Sequence, residues 1–215
     1  MYEEMKEKLK KIGIIPVVVL ENAGDAAQLG KALMEGGLPA AEVTFRTEAA
    51  EESLRILSKE LPDMLLGAGT VLTTEQADRA VEAGAKFIVA PGFNPTVVKH
   101  CLAKGYPIVP GVQTPSEMEQ AMELGLDFVK FFPAEAAGGL NMIKAVAAPY
   151  TKLVFMPTGG INEQNVKDYL GFKKIVACGG TWMVKNSLIE SGDFEKIKEL
   201  TKNAAKIVKE VRGDL

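Results

Sequence analysis

The sequence is poor in the residues that build metal centres and covalent cross-links. It has one histidine, His100, and two cysteines, Cys101 and Cys178, in 215 residues. Neither cysteine belongs to a CxxC pair, which argues against a disulfide framework or a zinc site and makes a reducing cytoplasm the expected compartment. A single histidine cannot build a multi-histidine metal site, and His100 reads as a partly exposed helix residue. Charge of one sign is also scarce. The net charge is −3, so no basic field exists to attract nucleic acid, and no nucleic-acid partner is expected. An anionic ligand would have to be held by local devices. Long apolar runs are missing too: none reaches the roughly 18 residues of a membrane helix, so no membrane partner is expected. The opening stretch "MYEEMKEKLKKIG" alternates charges and lacks a signal peptide's apolar core.

What is present is ordinary in amount and regular in order. Hydrophobic residues make up 47% and charged residues 25%, values typical of a soluble globular protein. The length suits one large domain, expected over 1–215, with a substantial core. Short runs rich in Val, Ile and Phe alternate with amphipathic segments of helical period. The predicted strands are "IIPVVVL" from Ile14, "AAEVTF" from Ala40, "MLLGAG" from Met64, "KFIVAP" from Lys86, "PIVPG" from Pro107, "DFVKFF" from Asp127, "LVFMPTG" from Leu153 and "KIVACGG" from Lys174. Intervening helices end in glycine at Gly36-Gly37, Gly84, Gly105 and Gly125, and begin with caps at Thr73 or Thr74 and at Thr114-Pro115. Roughly eight strand–helix units after a leading helix, without a second domain, favour a single α/β barrel of the (β/α)8 TIM type over an open doubly wound sheet. Met118 and Met122 are spaced as the core face of one helix, and Trp182 is expected to pack beneath the final loop.

In such barrels chemistry gathers at the C-terminal strand ends, and the unusual polar residues fall there. In "AAEVTFRTE", side chains alternate faces, so Glu42, Thr44 and Arg46 share one side and Val43 and Phe45 the other. The apolar side should meet helices, which turns a carboxylate, a hydroxyl and a guanidinium into the barrel, costly unless paired or used. The stretch "DFVKFFP" sets Lys130 among apolar residues on both faces. A solvated lysine titrates near 10.4, so only about one in a few thousand is the neutral, nucleophilic amine at neutral pH. Desolvation favours the neutral form and makes such an amine a Schiff-base nucleophile. The competing reading is an ammonium simply held by Glu42 or a backbone carbonyl. Glycine pairs follow the last two strands, Gly159-Gly160 before a helix expected near Asn162, and Gly179-Gly180 before Thr181. Loops at these places can bring backbone N–H groups to a phosphate. Thr70 ends the third strand and Pro91 follows the fourth, each a candidate either for the pocket or for a turn. Cys178 is near this end without any visible activating group.

The motifs "EVTFRTE", "GAGTVL", "PG", "PGVQTP", "KFFPAE", "PTGGI" and "GGTW" occur in that order. Over nearly the whole chain the sequence resembles 2-keto-3-deoxy-6-phosphogluconate aldolase, a class I aldolase family also active on 4-hydroxy-2-oxoglutarate. The resemblance implies a (β/α)8 barrel, a homotrimer, no metal and no cofactor. Its ligands would be pyruvate and a phosphorylated keto acid. It makes Lys130 the Schiff-base lysine and Glu42 the acid/base. Arg46 and Thr70 would contact the pyruvyl portion, with Pro91 and Phe132 in the same pocket, and Thr158 would bear on stereochemistry. Gly159, Gly160, Gly179, Gly180 and Thr181 would hold phosphate, Thr181 standing where many relatives have serine. Two other classes share the glycine loops: a phosphosugar epimerase or thiamin-phosphate-synthase-like enzyme, and a non-catalytic phosphosugar-binding barrel.

Overall fold

Pro110 has no N–H to give to a ladder, and it splits the predicted strand "PIVPG" in two. The strands are β1 (Ile14–Val18), β2 (Ala40–Thr44), β3 (Leu65–Gly69), β4 (Phe87–Val89), β5 (Ile108–Val109), β6 (Gly111–Val112), β7 (Phe128–Phe131), β8 (Val154–Pro157) and β9 (Cys178–Gly180). They alternate with helices α1 (Tyr2–Ile12), α2 (Ala26–Glu35), α3 (Ala50–Glu60), α4 (Thr74–Glu82), α5 (Pro95–Ala103), α6 (Pro115–Glu123), α7 (Gly139–Ala147), α8 (Val166–Leu170), α9 (Asn186–Glu190) and α10 (Phe194–Arg212). A computed structural model describes residues 2–213. Met1, Asp214 and Leu215, which the single-domain expectation takes in, lie outside the described residues.

All strand pairs are parallel. Six strands run in the order β5–β4–β3–β2–β1–β9 and three in the order β6–β7–β8. The expected uninterrupted eight-strand ladder is therefore two curled sheets. On one side the break falls at Pro110, whose carbonyl still accepts the Lys130 N–H at 2.9 Å. On the other, β8 and β9 meet through isolated parallel bridges, Phe155 to Ile175 and Thr158 to Gly179. The last strand is correspondingly short, beginning at Cys178 rather than Lys174.

Local signals explain most helix ends. The Thr73 hydroxyl accepts from the Gln76 N–H at the start of α4. Thr114 and Glu117 form a reciprocal capping box at α6, with Pro115 in the first turn, the arrangement that satisfies two orphan N–H groups. The largest core layer lies between strands and helices and includes Val43, Ile88, Val129, Phe131 and Phe155. A second cluster takes the alternate strand positions, among them Ile15, Phe87, Val109, Phe128 and Met156, and is closed by Met5 and Leu9 of α1. This floor lies on the side opposite the C-terminal strand ends. One helix-face expectation is corrected: Met118 is fully buried, but Met122 is 36% exposed, because α6 turns it past the edge of the stripe that meets the sheet.

Candidate active site

The alternation in β2 works as the sequence predicts. Val43 is buried in the helix-facing layer, while Glu42 and Thr44 line a cavity of about 180 Å³ at the C-terminal strand ends. The Thr44 hydroxyl is occupied, donating to Val18 O at 3.0 Å across the β1–β2 edge. Arg46 lies two residues past the strand, exposed on the cavity rim.

Lys130 enters the same cavity from β7. It is 4% exposed and Glu42 1%, and Nζ stands 3.3 Å from Glu42 Oε1. The ammonium position is also 5.2 Å from the centre of the Phe132 ring, within cation–π range. The competing sequence reading, a lysine held by Glu42, and the reactive reading thus share one geometry. What separates them is the surroundings. Glu42 Oε2 and Thr158 Oγ1 are buried without a protein partner, two of three such side-chain atoms among the described residues. Leaving polar atoms so costs on the order of 1–3 kcal/mol each, which a ligand's hydroxyl or carbonyl would relieve.

Glycines make the room. A Cβ at Gly69 would fall 2.2 Å from Glu42 Oε1, so the carboxylate reaches Lys130 only because β3 carries no side chain there. The motif "GAGT" holds that signal in its second glycine, beside the threonine. Thr70 itself has φ +58°, a left-handed conformation uncommon for threonine, and it lines the cavity with Pro91 and Phe132. Gly159 and Gly160 form one wall and Gly179, Gly180 and Thr181 another. At the second wall the reason for glycine is packing: a Cβ on Gly179 would meet Thr158 Oγ1 at 2.4 Å, and one on Gly180 would meet the Trp182 ring at 1.9 Å. Trp182 is half-buried against the core. The helix expected near Asn162 begins instead at Val166, and amide side chains of Asn162 and Asn165 fill the intervening turn.

Other candidates separate cleanly. Cys178 is fully buried, and that burial pushes its thiol up to about 12, so it is no nucleophile. His100 sits half-buried on α5, 2.9 Å from Asp78. No group of three His, Cys, Asp or Glu among the described residues is placed to hold a metal. A larger hollow of about 240 Å³ near α9 is lined by Glu21, Asp25 and Glu190 among others, without a lysine or any of the predicted residues.

The site sets a buried amine beside a half-partnered carboxylate, between walls of glycine. A family model for KDPG and KHG aldolases matches residues 5–200. The chain belongs to the KDPG and KHG aldolase family. Among relatives, a 2-dehydro-3-deoxy-phosphogluconate aldolase of Treponema pallidum is 50% identical over 202 residues, 94% of this chain and 96% of that one. A KDPG aldolase of Legionella pneumophila, solved with pyruvate captured at low pH as a covalent carbinolamine intermediate, is similar with TM-score 0.89 and 37% identity over 92% of this chain and 96% of that chain. A 2-keto-3-deoxy-6-phosphogluconate aldolase of Zymomonas mobilis, solved with 3-phosphoglycerate, has TM-score 0.90 and 37% identity over 96% of this chain and 97% of that chain. In this KDPG and KHG aldolase family member, then, the two residues with unpartnered polar atoms, Glu42 and Thr158, line one cavity with Lys130.

Proposed function

We propose that this chain is a class I aldolase that cleaves 2-keto-3-deoxy-6-phosphogluconate to pyruvate and glyceraldehyde 3-phosphate. On this reading it also cleaves 4-hydroxy-2-oxoglutarate to pyruvate and glyoxylate. One observation carries the reading: the Lys130 amine lies buried 3.3 Å from Glu42, whose second oxygen has no protein partner.

The Lys130 amine attacks the C2 ketone of the substrate to give a carbinolamine. Glu42 supplies the proton with which the hydroxyl leaves as water, and an iminium forms. Glu42, now a carboxylate, takes the proton of the C4 hydroxyl. The C3–C4 bond breaks, its electrons pass to the iminium, and the aldehyde leaves an enamine behind. Glu42 returns its proton to C3, and water hydrolyses the new iminium to pyruvate and free lysine. Arg46 pairs with the substrate carboxylate through its forked donors, aided by Thr70, while Pro91 and Phe132 give the pyruvyl part an apolar seat. Thr158 donates to a substrate hydroxyl and so favours one epimer. Gly159, Gly160, Gly179, Gly180 and Thr181 receive the phosphate, and anchoring both ends orients the scissile bond between them.

On this reading the two sheets are one interrupted (β/α)8 barrel, supported by the Pro110 junction and the β8–β9 bridges. The same resemblance supports a single domain over 1–215, a metal-independent cytoplasmic enzyme and a homotrimer. The test is borohydride reduction with pyruvate: an adduct on Lys130, undiminished by EDTA, is expected. Labelling at another lysine, or none, would overturn the assignment.

A further inference from the structure

The turn assigned to the phosphate is held from behind by side chains that do not line the cavity. Its carbonyls each accept a hydrogen bond. The Ala134 N–H donates to Thr158 O at 2.8 Å and the Glu135 N–H to Gly159 O at 3.0 Å. Gly160 O accepts twice, from Asn165 Nδ2 at 3.1 Å and from Asn162 Nδ2 at 3.2 Å. Asn165 Oδ1 in turn accepts from the Asn162 N–H at 2.9 Å. Asn165 stands at the N-terminal boundary of α8, yet its side chain makes no cap bond to that helix. Its hydrogen-bonding capacity is spent on the turn.

A trans peptide fixes its N–H opposite to its C=O. Tying the carbonyls of Gly159 and Gly160 behind the turn therefore aims the N–H groups of Gly160 and Ile161 at the cavity both residues line. Among the described residues no protein group accepts from either N–H. Gly160 has φ +81°, which lets consecutive N–H groups converge as an anion-binding concavity. The Glu135 side chain closes the back of this turn, since a Cβ on Gly160 would lie 2.6 Å from its Cβ. Buried Tyr169 hydrogen-bonds the Glu135 carboxylate.

We propose that Asn165, with Asn162 as its partner, is a positioning residue. It holds the Gly160 carbonyl outward so that the Gly160 and Ile161 N–H groups meet the substrate phosphate. This rests on the aldolase reading above and adds a residue remote from the reacting atoms. Preorganised donors cost no rearrangement when the anion arrives. Without the amide, the peptide planes of the turn are free to rotate and the N–H groups lose their aim.

The experiment compares Asn165→Leu and Asn165→Ala with the unaltered enzyme in two reactions. The first is cleavage of the six-carbon phosphorylated keto acid. The second is exchange of the pyruvate methyl protons with deuterated water, which needs Lys130 and Glu42 but no phosphate. KM for the phosphorylated substrate should rise about tenfold, the loss of roughly one good hydrogen bond, with kcat and pyruvate exchange within about twofold. If the leucine variant fails to fold, the alanine variant carries the test. An unchanged KM would overturn the proposal, as would an equal loss in both reactions, which would make Asn165 a general structural residue. The aldolase reading fails separately, if the unaltered enzyme shows neither exchange nor a borohydride adduct.

Discussion

Lys6 and Lys130 meet the same strand from different places and are surrounded differently. Lys6 reaches Asp127, just before β7, and Lys130 lies within β7. Their side chains are similarly covered, 12% and 6% exposed. Lys6 has two carboxylates at 2.8 and 2.9 Å. Burial works against its ammonium, but hydrogen bonds to Asp127 and Glu3 prevail and hold its pKa above the usual lysine value. Lys130 has one carboxylate at the longer distance of 3.3 Å, an aromatic ring and an open cavity. Burial alone does not separate the two lysines. The number of anions around each and the cavity beside Lys130 do.

The contrast breaks most sharply at Lys130 itself. Lys130→Met should reduce pyruvate release by roughly 10⁴-fold or more and abolish the borohydride adduct seen by mass spectrometry, with the melting temperature maintained. If the adduct survives in that variant, Lys130 is as structural as Lys6. Glu42→Gln comes next, with kcat lower by about 10³-fold and pyruvate still bound in a calorimetric titration; normal turnover would remove Glu42 from proton transfer. Gly69→Ala should cost at least about tenfold in kcat, because the added methyl displaces the carboxylate from the amine and misplacement of a reacting group by about 1 Å is expensive. A variant with full activity would mean that the carboxylate position is not critical. The smallest effect belongs to Lys6→Met, up to about 1 kcal/mol of stability with kcat unchanged. Because the folded pKa of Lys6 is raised, its contribution is fully present below the unfolded value near 10.4 and is lost as pH climbs through the folded value. The gap in melting temperature between the two proteins should therefore be steady near neutrality and close at strongly alkaline pH. A gap that widened there would reverse the sign.

What could be read from the sequence was whatever depends on neighbours along the chain. The period-two pattern of β2 separated Glu42 from Val43, and the apolar run around Lys130 marked its burial, because strand alternation is a local property. Caps at Thr73 and Thr114 were legible for the same reason. What escaped depends on neighbours far along the chain. Gly69 looks like any strand-end glycine until Glu42 is placed against it, and Gly180 needs Trp182 folded over it. Asn162 reads as the start of a helix, since nothing in "GGINEQN" says that its amide and that of Asn165 will be drawn to a carbonyl. Pro110 was visible, but that it would divide a ladder rather than end a strand is a matter of pairing on both sides. Met122 failed because a helical stripe specifies a face without specifying its width.

Glu42 and Lys130, the pair proposed to carry the chemistry, are 88 positions apart and sit in different sheets. On the proposed reading, a fragment that carries only Glu42 or only Lys130 would be chemically inert toward keto acids. Aldol cleavage thus reports assembly: two separately expressed fragments, cut in the exposed turn at Gly105, would stay silent apart and gain activity only on joining.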